Sequence, residues 1–92
     1  KGTVSKECAL EMAKNVTKLL HADIGISFTG VAGPLKSEGK NVGTVYIGLF
    51  DVNGYKYVEE CFFQGDRNYT RYRSVLKGLE ILFNYLKWYF LP

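Results

Sequence analysis

The spacing of apolar positions changes along the chain, and each change marks an element. From Cys8 to Leu20 apolar residues recur at three- and four-residue steps: Cys8, Ala9, Met12, Ala13, Val16, Leu19 and Leu20. Lys6, Glu11, Lys14, Asn15 and Lys18 occupy the other side. This pattern predicts an amphipathic helix resting on a core. Ser5 stands at the N-cap position and Glu7 in the first turn, where the helix dipole favours an acid. His21, the single histidine, ends the helix.

From Asp23 to Thr29 the period falls to two. Ile24, Ile26 and Phe28 share one face, while the small or hydroxylated Gly25, Ser27 and Thr29 share the other. That is a strand whose two sides meet different neighbours. It runs into the turn Thr29-Gly30-Val31-Ala32-Gly33-Pro34 and then a polar loop over residues 35–41. A second strand follows from Gly43 to Phe50, apolar on both faces and so expected to be covered on both. Asn53-Gly54 is a hairpin signal, which makes the stretch from Tyr55 to Phe63 its antiparallel partner.

Asp66 caps a last helix that runs to about Phe90. Its longest apolar stripe is Tyr72, Val75, Leu76, Leu79, Leu82, Phe83, Leu86 and Tyr89, which predicts the core face. Ser74, Gly78, Ile81, Tyr85 and Trp88 form a second stripe on the far side, at the spacing of a helix–helix seam. The element order is α-β-β-β-α. The expected fold class is α/β: a partial α/β/α sandwich whose mixed sheet contains an antiparallel hairpin.

Composition narrows the possible chemistry. A chain of 92 residues with 47% hydrophobic and 23% charged positions makes one small globular domain. A net charge of +3 is too small to argue for nucleic acid. The acids Glu59 and Glu60 inside the tyrosine-rich strand argue against it as well. Cys8 and Cys61 lack zinc-ligand spacing and read as buried free thiols, so neither a metal nor a cofactor is expected. No apolar run approaches a membrane span and no leader is visible, so a cytoplasmic protein is expected. Two sequon matches, at Asn15 and Asn68, read as chance.

The chemistry concentrates at the glycine turn. Glycines expose backbone N–H groups to a ligand, and the end of a strand in an α/β sheet is a common binding position. The same glycines could simply turn the chain. Arg67 opens a helix, where the dipole adds to anion attraction. Alternatively, it is a surface charge pairing with Asp66 or Glu60.

Val4-Ser5-Lys6-Glu7, Ala22-Asp23-Ile24-Gly25-Ile26-Ser27, Thr29-Gly30-Val31-Ala32-Gly33-Pro34, Val42-Gly43-Thr44-Val45-Tyr46 and Phe63-Gln64-Gly65-Asp66-Arg67 follow one another in a specific order. Together they resemble the C-terminal domain of the competence/damage-inducible protein CinA, a family that includes nicotinamide-nucleotide amidohydrolases. The resemblance implies a hydrolase that converts nicotinamide mononucleotide to nicotinate mononucleotide and ammonia, a salvage step in NAD metabolism. It implies that Thr29, Gly30, Ala32, Gly33 and Arg67 bind the substrate. It also implies that the serine, tyrosine and lysine of the attack lie in an N-terminal segment not represented here. On this reading residues 1–92 form one incomplete domain with no catalytic residue of its own. The chain departs from the family at Leu35-Lys36, where a glycine pair is usual, and at Asn41, where proline is usual.

An incomplete domain would leave the first strand as a sheet edge. It would also expose its Gly25/Ser27/Thr29 face and the Ser74–Trp88 seam to a missing N-terminal segment or a second copy in a homo-oligomer. The competing expectation is a catalytically silent module that binds a nucleotide or another protein.

Overall fold

The computed structural model describes residues 5–30 and 43–90, with side chains through residue 87. Its elements are α1 (Lys6–Leu20), β1 (Ile24–Gly30), β2 (Thr44–Asp51), β3 (Lys56–Phe62) and α2 (Arg67–Phe90). The order matches the α-β-β-β-α expectation. Ser5 caps α1, its Oγ accepting from the N–H of Cys8 at 3.0 Å. Replacing Ser5 with Ala is expected to lower stability by about 1 kcal/mol in urea titration. His21 closes α1 in the left-handed conformation, at φ 52°. Asp66 caps α2, accepting from the Tyr69 N–H at 2.8 Å.

The strands lie in the order β1-β2-β3. Both pairings are antiparallel, with Ile24 opposite Asp51 and Thr44 opposite Phe62 at one end of each register. The described sheet is therefore antiparallel throughout, and any parallel member of the expected mixed sheet lies outside it. The Asn53-Gly54 turn forms the β2–β3 hairpin, with Gly54 at φ 105°. Gly43 enters β2 at φ 98°, and a Cβ there would sit 2.4 Å from the carbonyl oxygen of Phe63, so this position requires glycine.

The two faces of the sheet carry different helices. Tyr46 and Gly48 of β2, with Gly25 and Ser27 of β1, face α1. Val45, Ile47 and Leu49 form the other face and pack with Ile81 and Tyr85 of α2. Ile24 and Ile26 join that cluster. This is the expected α/β/α layering, with β2 covered on both sides.

Each helix departs from the expected face, and for one reason. Against the sheet, α1 presents Ala9, Ala13 and Thr17, leaving Met12, Leu19 and Leu20 exposed. A Cβ on Gly25 would lie 2.3 Å from the Ala13 carbonyl oxygen, and one on Gly48 2.7 Å from that of Ala9. Ser27 Oγ donates to the Ala9 carbonyl at 2.5 Å. Helix backbone and strand backbone are in contact, and only small residues fit between them. The Gly25/Ser27 face is therefore covered by α1 and is not open to a missing segment.

On α2 the predicted roles of the two stripes are exchanged. Ser74, Gly78, Ile81 and Tyr85 are buried against this chain's own sheet, not offered to another segment or a second copy. Tyr72, Val75, Leu76, Leu79 and Phe83 of the richer stripe point outward, between 44% and 63% exposed. Leu82 and Leu86 are partly buried at its margin. The side chains of Trp88 and Tyr89 lie outside the described residues. The exchange has a steric cause. Phe28 already fills the space over this part of the sheet, and a Cβ on Gly78 would come within 2.6 Å of its ring. Small residues let α2 settle there, and Ile81 and Tyr85 fill the deeper space further along.

The carboxylate of Asp51 fastens α2 to the hairpin. It is 2% exposed, and its Oδ2 accepts from Tyr85 Oη at 2.5 Å. Its Oδ1 accepts from the N–H groups of Asn53 and Tyr55 at 2.9 and 3.0 Å.

Candidate anion-binding hollow

Alternation in β1 decides which expected site residues can meet. Gly30 pairs with Val45 and Phe28 with Ile47, so both lie toward α2. Thr29 pairs with Tyr46, which puts it on the α1 side with Gly25 and Ser27. β1 also extends one residue further than the alternation implied, making Gly30 its last strand residue rather than part of a turn.

Near the end of β1 the first two turns of α2 cross the sheet. Arg67, Thr70, Arg71, Ser74 and Val75 share one helical face, at steps of three, one, three and one. With Phe28, Gly30 and Val45 they enclose a hollow of about 370 Å³. Phe28, Val45 and Val75 make its apolar wall, and Arg67 and Arg71 border it on the helix side. Gly30 and Arg67, far apart in sequence, therefore share a cavity. Thr29 does not line it. Ala32 and Gly33 fall outside the described residues.

The sequence reading missed Arg71, Thr70 and Phe28. The three- and four-residue steps from Arg67 carry the signal for the first two. Phe28 shares a strand face with Ile24 and Ile26 in the sequence pattern, yet it is 41% exposed because α2 covers only part of it.

Ser74 Oγ donates to the Thr70 carbonyl at 2.7 Å, and Ser27 Oγ is committed to Ala9. Both hydroxyls are bound to backbone oxygens rather than to a base, which is not the arrangement of an activated nucleophile. Among the described residues no group of His, Cys, Asp or Glu could hold a metal ion. None of the described helices is long and apolar enough to cross a membrane. Cys8 and Cys61 are free thiols, each half-buried; burial, chiefly, raises the pKa of Cys61.

A smaller hollow of about 190 Å³ lies further along α2, between Tyr57, Glu59, Lys77, Glu80 and Tyr85. Its charges satisfy one another. Tyr57 Oη donates to Glu59 Oε1 at 2.6 Å, and Lys77 Nζ lies 3.1 Å from Glu59 Oε2 and 3.4 Å from Glu80 Oε1. The Glu59 hydrogen bond, aided by burial, pushes the Tyr57 phenol up to about 12. The same bond holds Glu59 below the usual carboxylate range against its own burial, with Lys77 assisting. Lys77 is raised in turn, mainly by Glu59.

The described residues thus form a small α/β domain with a largely apolar hollow, bordered by two arginines, where a strand end meets a helix start. Comparison with known proteins agrees with the architecture: residues 1–86 match the CinA C-terminal domain model, and the chain belongs to that family. A competence-damage inducible protein of Oceanobacillus iheyensis is 48% identical over 86 residues, covering 94% of this chain and 21% of that protein. One from Bacillus pumilus is 55% identical over 86 residues, covering 94% and 20%. A competence or damage-inducible protein of known structure from Enterobacter asburiae superposes with a TM-score of 0.85 at 29% identity, over 91% of this chain and 53% of that one. The Agrobacterium tumefaciens structure gives a TM-score of 0.81 at 32% identity, over 90% and 52%. The chain therefore spans about a fifth of these curated relatives and about half of the solved chains.

Proposed function

We propose that this chain supplies the nucleotide-binding part of a nicotinamide-nucleotide amidohydrolase domain, with the attacking serine, tyrosine and lysine contributed by an N-terminal segment. The observation that carries this reading is the shared hollow of Gly30 and Arg67. A ribose 5′-phosphate is a strong acceptor array, and a guanidinium meets it with two parallel N–H bonds. The start of α2 adds the partial positive charge of a helix N-terminus. Phe28, Val45 and Val75 offer apolar surface to the uncharged part of the ligand. Thr29, whose side chain belongs to the opposite face, has no part in this site.

Titration calorimetry with nicotinamide mononucleotide tests this directly. Saturable binding is expected, weakened about tenfold or more in Arg67→Ala, in line with the loss of a hydrogen bond to a charged group. Absence of binding at millimolar ligand would remove the reading. Ammonia release is expected only when the N-terminal half of a relative is supplied.

The commitment of both Ser27 and Ser74 to backbone carbonyls favours a second reading, a nucleotide-binding module without turnover. It predicts the same Arg67-dependent binding and no ammonia in the supplemented mixture.

A further inference from the structure

We propose that this chain pairs with a second copy of itself along β1, joining two three-stranded sheets into one and bringing the two α2 helices together across the join. The inference goes beyond the nucleotide reading and does not depend on it.

The two sides of the domain differ in charge. On the β3 side, Lys56, Glu59 and Glu60 lie along the edge strand. Lys77, Glu80 and Asn84 of α2 share a hollow there with Tyr57 and Glu59. Charges of this kind keep an edge strand from pairing. Among the described residues of β1 and α2, charge on the β1 side is confined to Arg67 and Arg71 at the start of the helix. The strand Ile24–Gly30 contains no charged residue and no proline. Val75 shares the larger hollow with Phe28 and Gly30, and Leu79, Leu82 and Leu86 follow it along one helical flank. Val75 and Leu79 are each more than half exposed.

The free edge of β1 presents a defined set of backbone groups. The Asp23 carbonyl accepts from the Val52 N–H at 3.0 Å, so Asp23 bonds toward β2. Alternation then turns the N–H and C=O groups of Ile24, Ile26, Phe28 and Gly30 away from β2, and among the described residues no other strand meets them. A second copy supplies the matching groups. An antiparallel pairing centred on Ser27 sets Ile26 against Phe28 of the other copy, and Ile24 against Gly30. Every pair on the α2 face is then apolar or glycine, and no like charges meet. The two-fold axis stands normal to the sheet, which keeps both α2 helices on one face with their apolar flanks turned to each other. With Tyr72 and Phe83 beside those flanks, the exposed apolar side chains come to roughly 500 Å² per copy, so two copies reach the roughly 1,000 Å² that a specific interface needs before the strand edges are counted.

Sedimentation equilibrium on the chain, with hydrogen exchange read at single amides, tests this. A dimer at tens of micromolar is expected. Leu79→Glu, at an exposed helix position, should keep the circular dichroism of the parent and weaken association about tenfold or more, because it places a charge in an apolar join. Asn84→Glu, on the opposite flank, should leave association unchanged. The Ile26 and Phe28 amides should exchange about tenfold or more slowly in the dimer than in Leu79→Glu. The Val58 and Glu60 amides, which the Phe63–Gly43 bond and alternation place on the outer edge of β3, should not change. A chain that stays monomeric, or a dimer that Leu79→Glu leaves intact, overturns the proposal. So does a monomer whose Ile26 and Phe28 amides become protected only when the N-terminal half of a relative is added, since that segment and not a second copy would then occupy the edge.

Discussion

Alanine at Gly25 is expected to lower the thermal midpoint of this domain by roughly 10 °C or more. The added Cβ would stand 2.3 Å from the Ala13 carbonyl oxygen and 3.0 Å from Thr17 Cγ2. A backbone oxygen in a helix cannot rotate aside as a side chain can, so α1 must lift from the sheet. Forced overpacking of this kind costs about 1–3 kcal/mol, occasionally more. Lifting α1 also threatens the Ser27–Ala9 hydrogen bond, which is buried. Alanine's smaller unfolded-state entropy offsets only about 0.4–1 kcal/mol. Against a total stability of about 5–15 kcal/mol for a small domain, the remainder is large. Gly54→Ala is the informative comparison, because its Cβ meets nothing within 4 Å and only the positive φ penalises it. Circular dichroism melting of the two variants should show Gly25→Ala clearly the less stable. Equal midpoints would mean that α1 does not seat on the β1 backbone as described.

Asp51→Ala is expected to cost about 2–3 kcal/mol in denaturant titration, as a buried charge-assisted network loses its acceptor. The Tyr85 hydroxyl and the N–H groups of Asn53 and Tyr55 would all lose their partner. Asp51→Asn keeps the shape and one acceptor, and should cost less. The same group sets the acid limb of stability. The Tyr85 hydrogen bond, with the turn N–H groups and against burial, holds Asp51 below its ordinary value. A carboxylate depressed in the folded state contributes fully above its unfolded pKa, near 4. That contribution is lost as pH falls from there through the lower folded value. Glu59 has the same sign and acts in the same window. Acid unfolding followed by tryptophan fluorescence should therefore lose much of its steepness in Asp51→Asn. On the alkaline side, Tyr57 binds its proton more tightly folded than unfolded. Its contribution is complete below pH 10 and disappears as pH rises toward about 12.

The residues that announced this domain most clearly were short and local. Ser5 and Asp66 each accept from a backbone N–H three residues on, and Asn53-Gly54 needs only its own turn. Such features are set by nearest neighbours in the chain, so they can be read without knowing what lies across the sheet. The hollow was half legible in the same way. Gly30 and Arg67 stood out by type, while Arg71 was hidden within a run of three arginines that only orientation distinguishes. Asp51 looked like one more turn residue, because nothing near it in sequence marks the tyrosine that reaches it from α2.

What the amino-acid order determined alone was the kind and succession of elements, their caps and the hairpin, all consequences of backbone geometry and periodicity over a few residues. What only tertiary structure decided was which side of each helix turns inward. Counting apolar residues favours Leu19, Leu20 and the Tyr72–Phe83 stripe. The space above the sheet instead accepts Ala9, Ala13, Ser74 and Gly78, because there backbone and the Phe28 ring leave room only for small side chains. Hydrophobic content is a property of one segment, whereas fit is a property of two surfaces brought together.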